Sequence, residues 1–468
     1  MANPEAPRSP DGSSASNPIV TRRRVLGGIA GVAGLATVPS LLAACGPGAT
    51  PSPSAAASAP AGSAPAGSAS AGPGASLTGE VTLGSNYSDD VPKKAMQAAA
   101  DSFTAKTGIT VKINTVAHGT FQDQISNYLQ GTPDDVWTWF SGFRMRFFAA
   151  QGLAYDISDV WANLQPHYTD AFKVGSTGDD QKQYFIPIYL YPWAVFYRKS
   201  LFADKGYEIP KTFDELKTLA TKIQSDKLIP FAFGDKDGWP AMGTFDILNL
   251  RLNGYDFHVG LMAGEEKWTD PKVKTVFDTF KEILPFHQEG AAGRNWADAS
   301  TTLLQKKAGM YFHGMFTSQQ FQEAGQADLD DLDFFPYPSF GTQYDAEKAL
   351  DAPIDGFMLS KAPKNLDAAK AFLEYLAQPE TQVTWDTADK SNIAASKDAD
   401  TSAYSPLQKK AAQVIGDAQR ITQFLDRDTN PNFAGPNGMQ AFLLDFLQKP
   451  DQDLPALQKK IQDFWDTL

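Results

Sequence analysis

Cysteine is nearly absent: Cys45 is the only one in 468 residues, which excludes an intramolecular disulfide and any multi-thiolate metal site. Aromatic residues are missing from positions 1–77, although the chain holds 31 Phe, 15 Tyr and 9 Trp. Charge is missing between Gly46 and Leu77, a stretch made of almost nothing but Ala, Gly, Ser and Pro. A segment of that composition has no apolar surface to bury, so residues 46–77 are expected to be a disordered linker. Positive charge is the minority sign, with 41 Lys and Arg against 54 Asp and Glu and a net charge of −13. The first 77 residues hold four Arg against Glu5 and Asp11, so the remainder carries −15. That balance argues against nucleic acid and anionic surfaces as partners. The five histidines (His118, His167, His258, His287, His313) have no metal spacing, and no nucleophile-elbow or phosphate-loop motif occurs. No metal and no cofactor are therefore expected.

What is present begins with an address. Thr21-Arg22-Arg23-Arg24-Val25-Leu26 is a twin-arginine-like pattern, and an uncharged apolar run extends from Val25 to Ala44. A basic flank ahead of an apolar run is an export signal. Leu42-Ala43-Ala44-Cys45 resembles the bacterial lipobox, so residues 1–45 read as a lipoprotein signal ending at a lipidated Cys45. The rival reading is an uncleaved membrane-spanning helix, long enough at 20 residues but weakened by Gly27, Gly28, Gly31 and Gly34. The chain is expected to be extracytoplasmic and lipid-anchored to the outer face of the cell membrane.

The 391 residues from 78 onward exceed one compact core and fit two domains. Strand and helix signals alternate. Val81–Leu83, Ile109–Ile113 and Val136–Phe140 read as strands, and helices follow over 90–106, 121–129 and 143–150. Thr212 and Glu215 form a capping-box pattern ahead of a helix burying Phe213, Leu216, Leu219, Ala220 and Ile223. Strands at Leu228–Phe233, Ala308–Phe312 and Leu332–Phe335, a helix from Pro271 and a mostly helical tail complete the pattern. The acidic run Asp328–Asp333 reads as a solvated loop. Such a layout implies an α/β fold of two lobes joined by a hinge.

At this level the chain resembles the extracellular solute-binding proteins of carbohydrate ABC importers, the group that includes maltose-binding protein. The resemblance runs in order through Gly131-Thr132-Pro133-Asp134-Asp135-Val136, Tyr184-Phe185-Ile186-Pro187 with Trp193 to Phe202, Pro210 to Leu216, Lys307 to Met310 and Asp367 to Leu373. It implies a two-lobed periplasmic-binding-protein-like (type II) fold with mainly parallel sheets. The expected division is 78–190 and 337–390 for the first lobe and 191–336 and 391–468 for the second. It also implies a monomer that closes on a carbohydrate and delivers it to the permease subunits of an ABC importer, with no catalysis. Departures at Ser85-Asn86-Tyr87-Ser88, Gly314-Met315-Phe316 and Asp355-Gly356-Phe357 bear on ligand identity.

A sugar offers flat C–H faces and a rim of hydroxyls, so its site needs aromatic planes and hydrogen-bonding side chains. Tyr87 after the first strand, and Trp139 and Ser141 at the carboxyl end of the third, are candidates on the usual ligand edge. Trp137 is assigned to the core on the strand's other face. Tyr191 and Trp193 lie at the first lobe crossing, where hinge packing is the competing role. Asp237 and Trp239 flank a flexible Gly238 ahead of a helix. Phe316 matches a stacking position of the resembled family. Asp355 and Gly356 precede a strand, and Arg427 with Asp428 sits in a polar break in the helical tail, as a hydroxyl fork or a structural ion pair. His118-Gly119 is read either as touching the cleft or as an ordinary loop, with the loop histidine preferred. The carboxylates Asp237, Asp355 and Asp428 leave a surface-anchored glycoside hydrolase as the rival function, and a non-sugar polar solute as a variant cargo.

Overall fold

The computed structural model describes residues 78–468. The export signal, Cys45 and the linker lie outside the described residues. Twelve strands form two main sheets and one ribbon. They are β1 (Glu80–Ser85), β2 (Thr110–Thr115), β3 (Val136–Phe140), β4 (Ile186–Leu190), β5 (Trp193–Arg198), β6 (Ile229–Phe231), β7 (Ala308–Gly314), β8 (Leu332–Phe335), β9 (Ala349–Asp351), β10 (Ile354–Leu359), β11 (Ile393–Ala394) and β12 (Arg420–Thr422). The first lobe holds a six-stranded sheet in the order β11-β4-β10-β3-β1-β2, and the second a four-stranded sheet in the order β6-β7-β5-β8. The chain first passes between them through the two residues Tyr191 and Pro192, since β4 ends at Leu190 and β5 starts at Trp193. The ribbon pairs β9 with β12 in parallel and lies where two later crossings run side by side.

The expected helices form for the expected reason. Asp90–Thr107 buries Met96, Ala99, Ala100 and Phe103, and Pro271–Ile283 buries Val273, Val276, Phe277, Phe280 and Ile283. These are 3- and 4-residue spacings that put one apolar stripe against a sheet. The Thr212 cap is half a capping box: its hydroxyl accepts from Glu215 N at 3.2 Å, but the Glu215 carboxylate reaches one residue further back, to Lys211 N at 2.6 Å. A reciprocal box occurs instead at Ser405 and Gln408.

Three expectations change. The sheets are mixed rather than mainly parallel. β1 pairs in parallel with β2 and β3, where consecutive β-α units built the sheet. β10 is antiparallel to both its neighbours, and β5 to both of its own. Those two strands enter from the other lobe, so no helical crossover on the same sheet dictates their direction. Second, β11 pairs with β4, so the first lobe's sheet draws on residues beyond the boundary expected at 390. Third, the acidic run is no solvated loop. Asp328 and Asp331 accept from Arg198 at 2.6 and 2.7 Å, and so clamp the end of β5 against the helix Gln326–Asp331.

Candidate functional site

A cavity enclosing about 740 Å3 of empty space, its mouth included, is lined from both lobes. The first lobe builds its wall at the carboxyl ends of its strands. Asn86 and Tyr87 directly follow β1, Phe140 ends β3, and Tyr189 lies near the end of β4. The helix His118–Gln130 turns its first turn inward, with His118 and Gln122 one turn apart and their side chains joined at 2.7 Å. The second lobe contributes rings. Trp193 opens β5, Trp239 precedes the helix Pro240–Asn253, Trp296 begins Trp296–Leu304, and Phe316 follows the end of β7. Phe316 lies 4.9 Å from Trp296 and 6.0 Å from Trp239, centroid to centroid. Across the mouth, His118 of the first lobe and Trp239 of the second approach to 6.5 Å.

The hinge segments supply the charge. Arg427 lies in the short helix Leu425–Asp428 and meets Asp355 of β10 at 2.9 Å. It also donates to the Tyr191 hydroxyl at 3.1 Å, and its guanidinium sits 4.0 Å above the Phe140 ring. Arg144 donates to Gln122 at 2.6 Å and to Asp426 at 3.2 Å. A continuous polar chain therefore runs from His118 through Gln122 and Arg144 to Asp426, beside Arg427 and Asp355. Several buried atoms of the cavity lining have no hydrogen-bond partner among the described residues: Asn86 Oδ1, Trp193 Nε1, Asp426 Oδ1 and Arg427 Nε. The last two face each other at 3.7 Å, too far for a direct bond.

Burial sets the protonation states. It pushes the His118 imidazole down to about 4, with the Arg427 charge adding to the effect, so the ring is neutral near pH 7. Burial raises Asp355, opposed by Arg427, and lifts the Tyr189 and Tyr191 hydroxyls well above their ordinary value. For Arg427, burial works against the charge, but Asp355 and Tyr191 outweigh it and the guanidinium stays cationic. The cavity thus sets a neutral imidazole and neutral tyrosine hydroxyls beside two buried ion pairs, Arg427–Asp355 and Arg144–Asp426.

Seven of the twelve residues expected from sequence line the cavity: Tyr87, Tyr191, Trp193, Trp239, Phe316, Asp355 and Arg427. Five do not. The Trp139 ring packs against Phe148 at 5.5 Å and Trp137 at 5.4 Å, inside the first lobe's core. Residues 137 and 139 are two apart and so share a face, which corrects the expectation that Trp137 points the other way. Phe140 takes the cavity side that Trp139 was expected to hold. Ser141 donates its hydroxyl to Gly175 O at 2.8 Å. Gly356 lies within β10, where a Cβ would meet the Ile186 carbonyl at 1.9 Å. Its role is to let β10 pass β4 at a register shift. The Asp428 carboxylate accepts from Gln423 N at 2.8 Å. Asp237 lines a separate groove.

Sequence reasoning missed Asn86, His118, Gln122, Tyr189, Trp296 and Asp426, among others. Two left a signal: Tyr189 is the same-face partner of Tyr191, and Asn86 adjoins Tyr87. His118 was weighed for the cleft and set aside as a loop histidine, and Trp296 left no signal, because each is the opening of a helix whose direction only the fold supplies.

The sequence profile of bacterial extracellular solute-binding proteins matches residues 87–383. The bacterial solute receptor AcbH is 45% identical, and its characterisation revealed an exclusive substrate preference for β-D-galactopyranose. Its superposition covers 83% of this chain and 99% of that one with a TM-score of 0.80. The α-glucosides-binding periplasmic protein AglE of Rhizobium meliloti (strain 1021) is 27% identical over 393 residues, 78% of this chain and 82% of its own. The multiple sugar-binding protein of Streptococcus mutans serotype c is 24% identical over 309 residues, 64% of this chain and 68% of its own. With a two-lobed frame, a cavity lined from both lobes and a profile match over more than half its length, this chain belongs to the bacterial extracellular solute-binding protein family.

Proposed function

We propose that this protein is an extracytoplasmic receptor that holds a sugar between its lobes and delivers it unchanged to the permease of an ABC importer. One observation carries the reading: aromatic rings from both lobes line the cavity together with buried polar atoms that have no partner among the described residues. An unpaired buried polar group costs about 1–3 kcal/mol, and a ring of ligand hydroxyls is the chemistry that recovers it while the rings cover C–H faces. Similarity to AcbH makes a hexopyranose, D-galactose first, the ligand to test. A ligand touching both lobes binds the closed form more tightly and shifts the population toward it.

The carboxylates weigh against a hydrolase. Of Asp237, Asp355 and Asp428 only Asp355 lines the cavity, where Arg427 holds it, whereas a hydrolase needs two carboxyls about 5–10 Å apart across one bond. The same proposal includes lipidation at Cys45, a flexible tether over 46–77, a monomeric body, and lobes divided near residues 190 and 336. A lipid leash raises the receptor's effective concentration at its permease.

A thermal-shift and calorimetric screen of D-galactose, D-glucose, amino acids and glycerol phosphate tests the ligand class. The true ligand at a hundred times its Kd adds about 2.7 kcal/mol of stability. Stabilisation by an amino acid or glycerol phosphate and by no sugar would overturn the reading, as would turnover of nitrophenyl galactoside. Cys45→Ser is expected to move the protein from the membrane fraction to the soluble one.

A further inference from the structure

Among the residues that line the cavity, Phe424 alone holds a backbone conformation that side chains rarely adopt. Its φ is +104° and its ψ 141°, close to a region that belongs almost wholly to glycine and costs about 1–3 kcal/mol elsewhere. The ring lies 4.8 Å from that of Trp193 and 6.4 Å from that of Trp239, so the strained residue extends the aromatic lining. Strain persists only where the surroundings over-determine it, and here carboxyls hold the N–H of both neighbours. Gln423 N donates to Asp428 at 2.8 Å, within the same turn, and Leu425 N donates to Asp246 at 2.6 Å. The Phe424 carbonyl then accepts from the N–H groups of Arg427 and Asp428, each at 2.9 Å, which winds the short helix that carries the guanidinium.

Asp246 belongs to the helix Pro240–Asn253, is closed to solvent and lies outside the cavity lining. Its second oxygen has no hydrogen-bond partner among the described residues, and neither oxygen of Asp351, at the end of β9, has one. Helix and strand are packed together, with Arg251 donating to Ala349 O at 2.9 Å. From that bond, the step back to Asp246 along the helix and the step on to Asp351 along the strand are both about 7 Å. His258 of the helix Tyr255–Ala263 comes within 4.0 Å of Asp246, but burial pushes its imidazole down to about 3 and leaves it neutral. The turn brings Asp426, Arg427 and Asp428, of which Asp426 is paired with Arg144 and Arg427 with Asp355. Asp345 and Glu347 bond instead to Ser339 and to Tyr255 N, and His313 of β7 sits among the rings of Trp193, Trp239 and Trp296. The helices Pro271–Ile283 and Met439–Gln448 bury only apolar side chains. Burial, and after it the charge of Asp351, raises the Asp246 carboxyl well above its ordinary range, and burial raises Asp351 likewise. The two carboxyls therefore hold at least one proton between them, and a neutral Asp246 still accepts from Leu425 N while gaining an O–H to donate.

We propose that Asp246 is a positioning residue for the cavity: from outside the lining it pins the turn Leu425–Asp428 to the second lobe and so aims the Phe424 ring and the Arg427 guanidinium at the ligand. Arg427 meanwhile rests on Phe140 and Asp355 of the first lobe. Asp246 thereby sets the spacing between the polar groups of one lobe and the rings of the other. The proposal leans on the receptor reading only for what the ligand is.

Calorimetry with D-galactose and thermal melting, on the wild type, Asp246→Asn and Asp246→Ala at pH 5 and pH 9, test it, together with ligand-free crystal structures of both variants. Asparagine keeps an acceptor for Leu425 N and a donor for Asp351, and it cannot ionise. At pH 5, Asp246→Asn is expected to bind within about twofold of the wild type and Asp246→Ala about tenfold more weakly. A raised folded-state value gives stability that is complete below the unfolded value near 3.8 and lost as pH rises through the folded one. Ionised Asp246 also repels Asp426 and Asp428, so at pH 9 the wild type is expected to fall behind Asp246→Asn in both affinity and melting temperature. Equal losses in the two variants, an Asp246→Ala variant that binds like the wild type, or the same pH response in the wild type and Asp246→Asn would overturn the proposal. If D-galactose fails to bind the wild type, the receptor reading fails for that sugar and the crystal structure of Asp246→Ala decides the positioning: a displaced Arg427 supports it and an unmoved one refutes it.

Discussion

The two walls of the cavity are made of different materials. The second lobe supplies mostly rings, Trp193, Trp239, Trp296 and Phe316, whereas the first lobe with the hinge sets Asn86, His118, Gln122, Asp355, Asp426 and Arg427 among the rings of Tyr87, Phe140, Tyr189 and Tyr191. Ring faces are rigid, large and indifferent to hydroxyl stereochemistry, so they contribute affinity. Directed polar groups reject any ligand that leaves them unpaired, so they contribute selection. Dividing these roles between lobes makes selection depend on closure, because a sugar resting on the rings alone leaves the opposite wall unsatisfied.

Breaking the polar wall is expected to have the largest effect. Arg427→Ala leaves Asp355 buried without its cation, while Asp426 keeps Arg144, at a cost of about 3–5 kcal/mol. Urea denaturation is expected to register that loss, and sugar binding should vanish; a variant as stable as wild type would mean the pair is not buried in solution. Removing one ring should cost less. Trp239→Ala is expected to weaken sugar binding about 10–30-fold, or roughly 1.5–2 kcal/mol, through lost stacking and area, with equal losses across hexose epimers. A loss that differs by epimer would contradict the division of roles. By contrast, His118→Asn should change the preference among epimers more than the overall affinity.

The second lobe also holds a buried carboxyl that sharpens the contrast by pH. Asp235 accepts from Ala241 N at 2.9 Å, and burial lifts it to about 7, with the charge of Asp237 adding to the shift. A raised folded-state pKa means stability fully present below the unfolded value near 3.8 and lost as pH rises through about 7. Asp235→Asn is therefore expected to raise the melting temperature at pH 8 while leaving it near wild type at pH 4, a difference of roughly 2–4 kcal/mol at most. Equal shifts at both values would show that the carboxyl does not change protonation over that range. The smallest effect belongs to Ser141→Ala, which removes one hydrogen bond to Gly175 O outside the cavity. About 1 kcal/mol of stability and no measurable affinity are expected to go with it.

Much of this was legible in the chain. The stripe Met96-Ala99-Ala100-Phe103, the strand Val136–Phe140 and the crossing at Tyr191-Pro192-Trp193 all sit where local pattern placed them, because each depends on spacing within a dozen residues. Tyr87, Tyr191 and Phe316 were legible for a related reason, since each follows the carboxyl end of a strand and strand ends can be read locally; Trp193 opens β5 and Arg427 lies in a short helix, and both were placed by the family resemblance. Trp139 was misplaced because facing depends on which side of β3 the first lobe's core occupies, and Phe140 took its role. Asp428 and Asp426 were interchanged for the same reason, since the turn Leu425–Asp428 is oriented by Arg144 from a helix 282 residues away.

The amino-acid order alone determined the alternation of strands and helices, the two-lobe plan and a supply of aromatic and acidic residues concentrated in turns, since those follow from periodicity and composition. Only the tertiary structure decided that β10 and β5 run against their neighbours, that His118 and Trp296 face the cavity, and that Asp237 lies outside the cavity that Trp239 lines. These outcomes hinge on contacts between segments hundreds of residues apart, and no local pattern encodes which of two faces a distant partner will cover.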